Sequence, residues 1–415
     1  MGRRVRVLAA NAFVCAWNGS SGFASEQVLS MLCVSSHYRR CNESIRAAWS
    51  FSPDRGENML TVPVYRYASV DDYNVQRSMG DSYVSVNCSM ADLLRYSLDN
   101  GHFGGHVVTS SWGQLFYRLI PLFALAPDEK SKYFLATDDY RYAEASYKGA
   151  VSFYLGMIGA RLVFDKFLGG DKPNYQLLHA GDSKHFILTP SSGKRPDYVA
   201  INGKGDPYVL LEAKGTSGAG VAHKRVKDAK GQLNLDSVTT LTAKGPRVTT
   251  GDKLKKHVVA SSFKGGVASE GSSWELCDVD PEGAGEGELT IQLDGAIYAH
   301  YMPMVQRLSP DHSPDHFPDP CRGEMREERI NNIDCELIEI SKGVSVGLVK
   351  GLREAIGDQG NVDDCFHRVY EFFHSMEGFQ GLSEGEKVSM GGDGVVVVLS
   401  DEYVRSFNLE VDRAL

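Results

Sequence analysis

The chain has 415 residues, of which 42% are hydrophobic and 23% charged, and a formal net charge of −9. That length holds two or three domains with sizeable cores, and the composition excludes a low-complexity or collagen-like chain. No apolar run reaches the roughly eighteen residues that a membrane-spanning helix needs.

Met1-Gly2-Arg3-Arg4-Val5-Arg6 and the apolar stretch after it superficially resemble a secretory leader. Asn11 interrupts the apolar part, and Arg4, Val5, Arg6 and Val7 alternate as an opening strand does, so the expectation is no leader. Eight cysteines (Cys15, Cys33, Cys41, Cys88, Cys277, Cys321, Cys335 and Cys365) form no CxxC pair and fit reduced thiols in a cytoplasmic protein.

Residues 1–135 form an N-terminal region of mixed α+β character, suited to target recognition or partner binding. Thr61–Tyr67 reads as an edge strand carrying Pro63. Ser89 to Leu98 reads as a helix with Ser89 as N-cap and Asp92 three residues on. The segment from Ser110 to Leu125 reads as a buried helix interrupted at Pro121. Gly101-His102-Phe103-Gly104-Gly105-His106 reads as a turn with incidental histidines.

Residues 136–270 carry the chemistry. Ser146 to Phe167 reads as an apolar helix running into a strand. The stretch GKRPDYVAINGKGDPYVLLEAKGTSG then places Asp197 at the start of a short apolar run, Tyr198-Val199-Ala200-Ile201. The residues Asn202-Gly203-Lys204-Gly205-Asp206-Pro207 are turn formers, and Tyr208 to Lys214 is a second strand. Alternation along that strand puts Glu212 and Lys214 on one face and Leu211 and Ala213 on the other. A hairpin here brings Asp197 close to Glu212. Two adjacent carboxylates repel, and a hard cation such as Mg2+ relieves the repulsion, polarises a phosphate and lowers the pKa of a bound water. Lys214 on the same face could orient that water or offset charge developing at phosphorus.

Pro196-Asp197, Glu212 and Lys214 together resemble the PD-(D/E)xK nuclease superfamily, over roughly residues 140–270. The resemblance implies a restriction-endonuclease-like α/β fold, a mixed sheet flanked by helices. It implies metal-dependent hydrolysis of phosphodiester bonds, with Mg2+ or Mn2+ held by Asp197, Glu212 and the Ala213 carbonyl. It also implies a glutamine on the helix after the E-x-K strand, where Gln232 stands, and an acidic residue on the first helix, for which Glu144 is the nearest candidate. Lys256 to Phe263 would be the next core strand. The superfamily's association with restriction and anti-phage defence suggests a DNA endonuclease in such a system, acting as a homodimer or beside defence proteins.

Charge distribution agrees with a nucleic-acid partner. Residues 194–264 hold fourteen Lys and Arg against six Asp and Glu inside an acidic chain. Lys194, Arg195, Lys224, Arg225, Lys227 and Lys230 are the candidate phosphate contacts, with Lys253, Lys255 and Lys256 beyond them. An isolated run of this kind is more often a solvated helix face, and the neighbouring carboxylates tip the reading toward duplex DNA.

Residues 271–322 read as a loop-rich linker or insertion, with an acidic stretch at 277–288 and an apolar return at 289–308. Asp311 to Asp319 offers His312 and His316 among three aspartates, and reads as a solvated Pro-rich loop. Residues 323–415 read as an α+β region, with a helix over Val344 to Ile356, an amphipathic helix over Val362 to Met376 and a buried strand over Gly394 to Leu399. Two other readings stay open: a nucleic-acid-binding protein with a degenerate site, and a nuclease silent until a partner or ligand activates it.

Overall fold

The computed structural model describes residues 60–76, 83–98 and 119–402, the last span without 129, 171, 191–192, 281–284, 286, 309–323, 358–361, 377–378, 380 and 385–386. The sequence readings at the N-terminus, at Gly101 to His106, at 110–118 and at Asp311 to Asp319 lie outside the described residues.

The described chain begins with β1 (Leu60–Tyr67), α1 (Val70–Gln76), β2 (Val84–Cys88) and α2 (Met90–Leu98). A short turn of 3-10 helix at Ile120–Ala124 leads into β3 (Leu125–Asp128), β4 (Tyr133–Ala136), α3 (Asp138–Arg141) and α4 (Ala145–Val163). Next come β5 (Gln176–His179), β6 (Phe186–Thr189), β7 (Tyr198–Ile201), β8 (Pro207–Gly215) and α5 (His223–Leu233). β9 (Ser237–Thr242), β10 (Gly245–Thr250), β11 (Lys255–Phe263), β12 (Trp274–Val279), β13 (Glu288–Gln292) and α6 (Leu293–Leu308) follow. The last stretch holds β14 (Met325–Ile330), β15 (Ile333–Ser341), β16 (Val344–Val349), α7 (Leu352–Ile356), α8 (Cys365–Ser375), β17 (Leu382–Glu384), β18 (Val388–Met390) and β19 (Val395–Leu399).

The described residues are therefore mixed α/β, built on three sheets. The central nine-stranded sheet has the order β3-β4-β1-β12-β11-β8-β7-β5, with β2 also on β1. In its second half β5, β7 and β8 are successively antiparallel, β11 runs parallel to β8, and β12 is antiparallel to β11. Helices α4 and α5 both pack on β8 and β11, one on each face, so these strands sit in the middle layer. A smaller sheet runs β10-β9-β13-β6, and the C-terminal residues form a six-stranded sheet, β14-β15-β16-β19-β18-β17.

Local chemistry explains most elements and several departures from expectation. Ser89 Oγ accepts from the Asp92 N–H (3.0 Å) while Asp92 Oδ2 accepts from the Ser89 N–H (2.9 Å), a reciprocal cap that starts α2 as expected. Thr61–Tyr67 is not an edge strand. Within β1 it pairs with β2, β4 and β12, and Val62 and Val64 are fully buried. α4 does not run into a strand: its last turn widens over Phe164–Leu168 and stops at Gly169, whose φ of +96° is one a glycine reaches without strain. Leu162 to Phe167 stays helical because Arg161 and Asp165, one turn apart, are paired inside the protein. The expected helix over Val344 to Ile356 divides. Val344 to Val349 is a buried central strand, and a short helix starts only after Gly351, at φ +89°.

The span 271–322, read as a linker, contains β12 inside the central sheet as well as β13 and α6. Trp274, Leu276 and Val279 on β12 are fully buried, so the boundary near 270 does not divide the core. The N-terminal and C-terminal spans are joined to the same core by a buried ionic cluster. Arg95 of α2 pairs with Asp165 (2.5 Å) and donates to Ser389 Oγ (2.8 Å), which in turn donates to Asp92 (2.6 Å). Arg161 of α4 pairs with Asp393, from the β18–β19 turn. Burial pushes the Asp393 carboxyl up, but Arg161 and Arg95 outweigh it and hold it below the ordinary carboxylate range. Among the described residues no helix is long and apolar enough to cross a membrane. Cys88, Cys277, Cys335 and Cys365 are buried free thiols.

Candidate active site

The hairpin that carries the site is closed by its turn. Asn202 N–H donates to the Asp206 carbonyl (3.0 Å), Gly205 N–H to the Asn202 carbonyl (2.9 Å), and Asn202 Oδ1 accepts from Asp206 N–H (3.0 Å). Gly205 sits at φ +86°, the conformation a glycine accepts most readily there. The turn fixes the register, pairing Tyr198 with Leu211 and Val199 with Leu210. Continued by one residue, that register sets Asp197 opposite Glu212. The other face of β8 is pressed against α4: a methyl at Gly215 would lie 1.7 Å from the Ser152 carbonyl. Glu212 and Lys214 thus face α5, and Ala213 and Gly215 face α4.

Four side chains converge. Asp197 N–H donates to Glu212 Oε2 (3.2 Å), and Ala213 N–H donates to Asp197 Oδ2 (2.8 Å). Lys214 Nζ and Gln232 Nε2 both donate to Glu212 Oε1, and Gln232 Nε2 also reaches the Arg195 carbonyl (3.2 Å). Glu212 is fully buried. Burial and the neighbouring Asp197 push its carboxyl up to about 8, against the opposing pull of Lys214. Burial also raises Asp197, against the opposing pull of Lys214 and the Ala213 N–H. The two carboxyls share a hydrogen bond, so near neutral pH Glu212 keeps a proton where two anions meet.

A divalent cation suits the same place. The donor set is hard oxygen, as Mg2+ and Mn2+ prefer. N–H and C=O of one strand residue point the same way, so the Ala213 carbonyl faces the Asp197 edge along with its N–H. Continued by two residues, the register sets Pro196 opposite Ala213. A proline has no N–H, which leaves that carbonyl without its regular ladder donor.

The chain matches no protein-family model, no curated protein and no solved structure.

The sequence-derived candidates separate into three groups. Asp197, Glu212, Lys214, Gln232 and the Ala213 backbone come together. Glu144 does not join them. It is exposed at the N-terminus of α4, the helix on the opposite face of β8, and among the described residues no third Asp, Glu, His or Cys completes a metal-binding group. Of the basic residues, Lys194, Lys224, Arg225 and Lys227 are exposed, and Lys230 is half-buried, as the amphipathic face of α5 (Val226, Ala229 and Leu233 inward) requires. Arg195 has a structural task instead, donating to the Phe186 carbonyl (2.8 Å) and the Gly181 carbonyl (3.3 Å). Lys253 and Lys255 are exposed, but Lys256 is buried under α5, where burial and then Lys230 lower its pKa, so it is not a surface phosphate contact.

The sequence reading missed an array on the opposite face, with His257 and Asp278 buried and Arg66 exposed. His257 Nδ1 lies 2.8 Å from Asp278 Oδ1, and Asp278 Oδ2 accepts from Arg66 Nε (3.2 Å). Its members come from β11, β12 and β1, so only the sheet order reveals it.

Proposed function

We propose that this protein is a metal-dependent nuclease hydrolysing phosphodiester bonds, with duplex DNA as its substrate, built on a restriction-endonuclease-like core. The carrying observation is the Asp197–Glu212 pair, set opposite each other by the β7–β8 register with Lys214 and Gln232 on Glu212. The order of elements supports the reading: an apolar helix, the catalytic hairpin, a basic helix bearing Gln232, then a strand parallel to the Glu212 strand.

Asp197, Glu212 and the Ala213 carbonyl would hold Mg2+ or Mn2+, which supplies positive charge at the phosphate and a more acidic bound water. Lys214 holds a cation beside the carboxylates, placed to orient the attacking water or to offset charge building on the phosphate oxygens. Gln232 fixes the Glu212 carboxylate against both strands of the hairpin. The exposed cations of α5, together with Lys194, would contact the DNA backbone, making binding strongly salt-dependent. Cleavage of both strands would call for a homodimer or a partner assembly. Buried free thiols accord with a reducing, cytoplasmic setting, and restriction or antiviral defence is the role that suits such an activity.

The test is cleavage of supercoiled plasmid and of linear duplex DNA with Mg2+ or Mn2+, comparing wild type with Asp197→Ala. Metal-dependent cutting that vanishes in the variant supports the proposal. Salt-sensitive binding without cutting by either protein would instead mark a degenerate binder or a nuclease awaiting its activator.

A further inference from the structure

A cavity of about 170 Å³ lies at the turn end of the hairpin, away from the catalytic pair. Pro207 and Glu212 lie five positions apart along β8, about 17 Å at strand spacing. The β7–β8 turn, the β9–β10 hairpin, the first turn of α6 and α8 enclose the cavity. The two turns contribute Lys204 and Lys244, β10 contributes Arg247, and α8 contributes the rings of Phe366 and Tyr370. Tyr370 closes on the turn backbone: a methyl on Gly203 would lie 3.3 Å from its Cε2.

Among the described residues the two lysines here are not matched to carboxylates, although Glu371 Oε1 lies 3.8 Å from His367 Nδ1. Lys244 Nζ sits 3.4 Å from both ring nitrogens of His367, a second group able to carry positive charge. Among the described residues neither Lys204 nor Lys244 forms a salt bridge, and Arg247 has only a solvent-exposed pairing with Asp206 (3.2 Å). An anion bound between the turns would relieve this crowding. On the other side Asp294 Oδ1 accepts from the Phe366 N–H (2.9 Å), and Asp294, Asp364 and Glu371 all line the cavity. Cations, flat rings and carboxylates together match the three parts of a nucleotide: phosphate, base and sugar hydroxyls.

We propose that this cavity binds a nucleoside monophosphate, with its phosphate on Lys204 and Lys244 and its base against Tyr370 and Phe366. Sites that enclose a whole drug-sized ligand run from about 300 Å³ upward, so only part of the nucleotide enters and the rest lies at the mouth. The proposal goes beyond the nuclease reading and does not depend on it.

The test is calorimetric titration of the full chain, without metal, with the four ribonucleoside monophosphates, and with inorganic phosphate and adenosine as separate probes. At least one monophosphate is expected to bind with one site per chain, more tightly than either fragment. Lys244→Ala should weaken it about tenfold and Tyr370→Leu about fivefold or more, as loss of a charged contact and of a stacking ring would do. Asp197→Ala should leave binding unchanged. No saturable binding up to about 5 mM, phosphate alone binding as tightly as every nucleotide, or loss of binding in Asp197→Ala but not in Lys244→Ala would each overturn the site. Because the readout is binding, its failure is distinct from failure of DNA cleavage.

Discussion

Gln232 Nε2 donates to the Glu212 carboxyl and, at 3.2 Å, to the Arg195 carbonyl, so one amide ties α5 to both strands of the catalytic hairpin. Its loss should leave Glu212 less firmly oriented without unfolding the protein. Gln232→Ala is expected to lower cleavage rate by about tenfold and cost about 1 kcal/mol of stability. Single-turnover kinetics and urea unfolding on the same preparation separate the two effects.

Among the described residues, Lys214 is the one cation paired with Glu212. Lys214→Ala should reduce cleavage by about 10²-fold or more, in the range seen when a single charge-stabilising donor is removed. Metal binding by the variant, followed calorimetrically, should persist. Cleavage at the wild-type rate by a folded Lys214→Ala protein would sink the proposed role.

Glu212 gives the metal-free protein a pH signature. Its carboxyl titrates near 8 when folded, against an ordinary value of 4.5. The native state therefore holds a proton that the unfolded chain has released, and stability falls as pH rises between those values. The thermal midpoint without metal should drop from pH 5 to pH 8, in a window set by those two pKa values. Glu212→Gln should flatten the slope, and Mg2+ should oppose it by displacing the proton. A slope identical in wild type and Glu212→Gln would count against the buried proton.

Pro196 offers a subtler test. Restoring an N–H opposite Ala213 gives its carbonyl a ladder partner and draws it from the cation. Pro196→Ala is expected to weaken Mn2+ binding about threefold to tenfold, by analogy with loss of one hydrogen bond's worth of free energy. Titration of the paramagnetic ion by electron spin resonance reads this directly.

The buried pairs make the core sensitive to loss of a single partner. Arg161→Ala or Asp393→Ala leaves an uncompensated charge in the core, and each should cost about 3–5 kcal/mol. Changing both to apolar residues should restore a large part of the loss, which a double-mutant cycle in urea measures.

The site was more legible than the scaffold. Asp197, Glu212 and Lys214 lie within eighteen residues, and a polar turn plus strand alternation suffice to bring them together. Gln232 came from the resemblance alone, which implies a glutamine on the helix after that strand. Glu144 could not be placed this way, because which face of β8 a helix covers depends on packing. Gly215 against Ser152 is what puts α4 on the far side. Val344–Val349 looked helical because a short apolar run has no decisive period, and its burial on both faces of a sheet comes from neighbours far away in sequence. The Arg95, Arg161, Asp165 and Asp393 cluster left only one local trace, the four-residue spacing of Arg161 and Asp165 inside an apolar helix.

That cluster also limits how the chain can be cut. Asp393 answers Arg161, and Ser389 bridges Arg95 to Asp92, so the last third of the sequence supplies groups to helices formed by the first two. A truncated chain ending before residue 323 would keep the whole catalytic hairpin yet lose partners for two interior guanidiniums. Proteolysis and heating should accordingly find one cooperative unit, with no separable catalytic fragment to release.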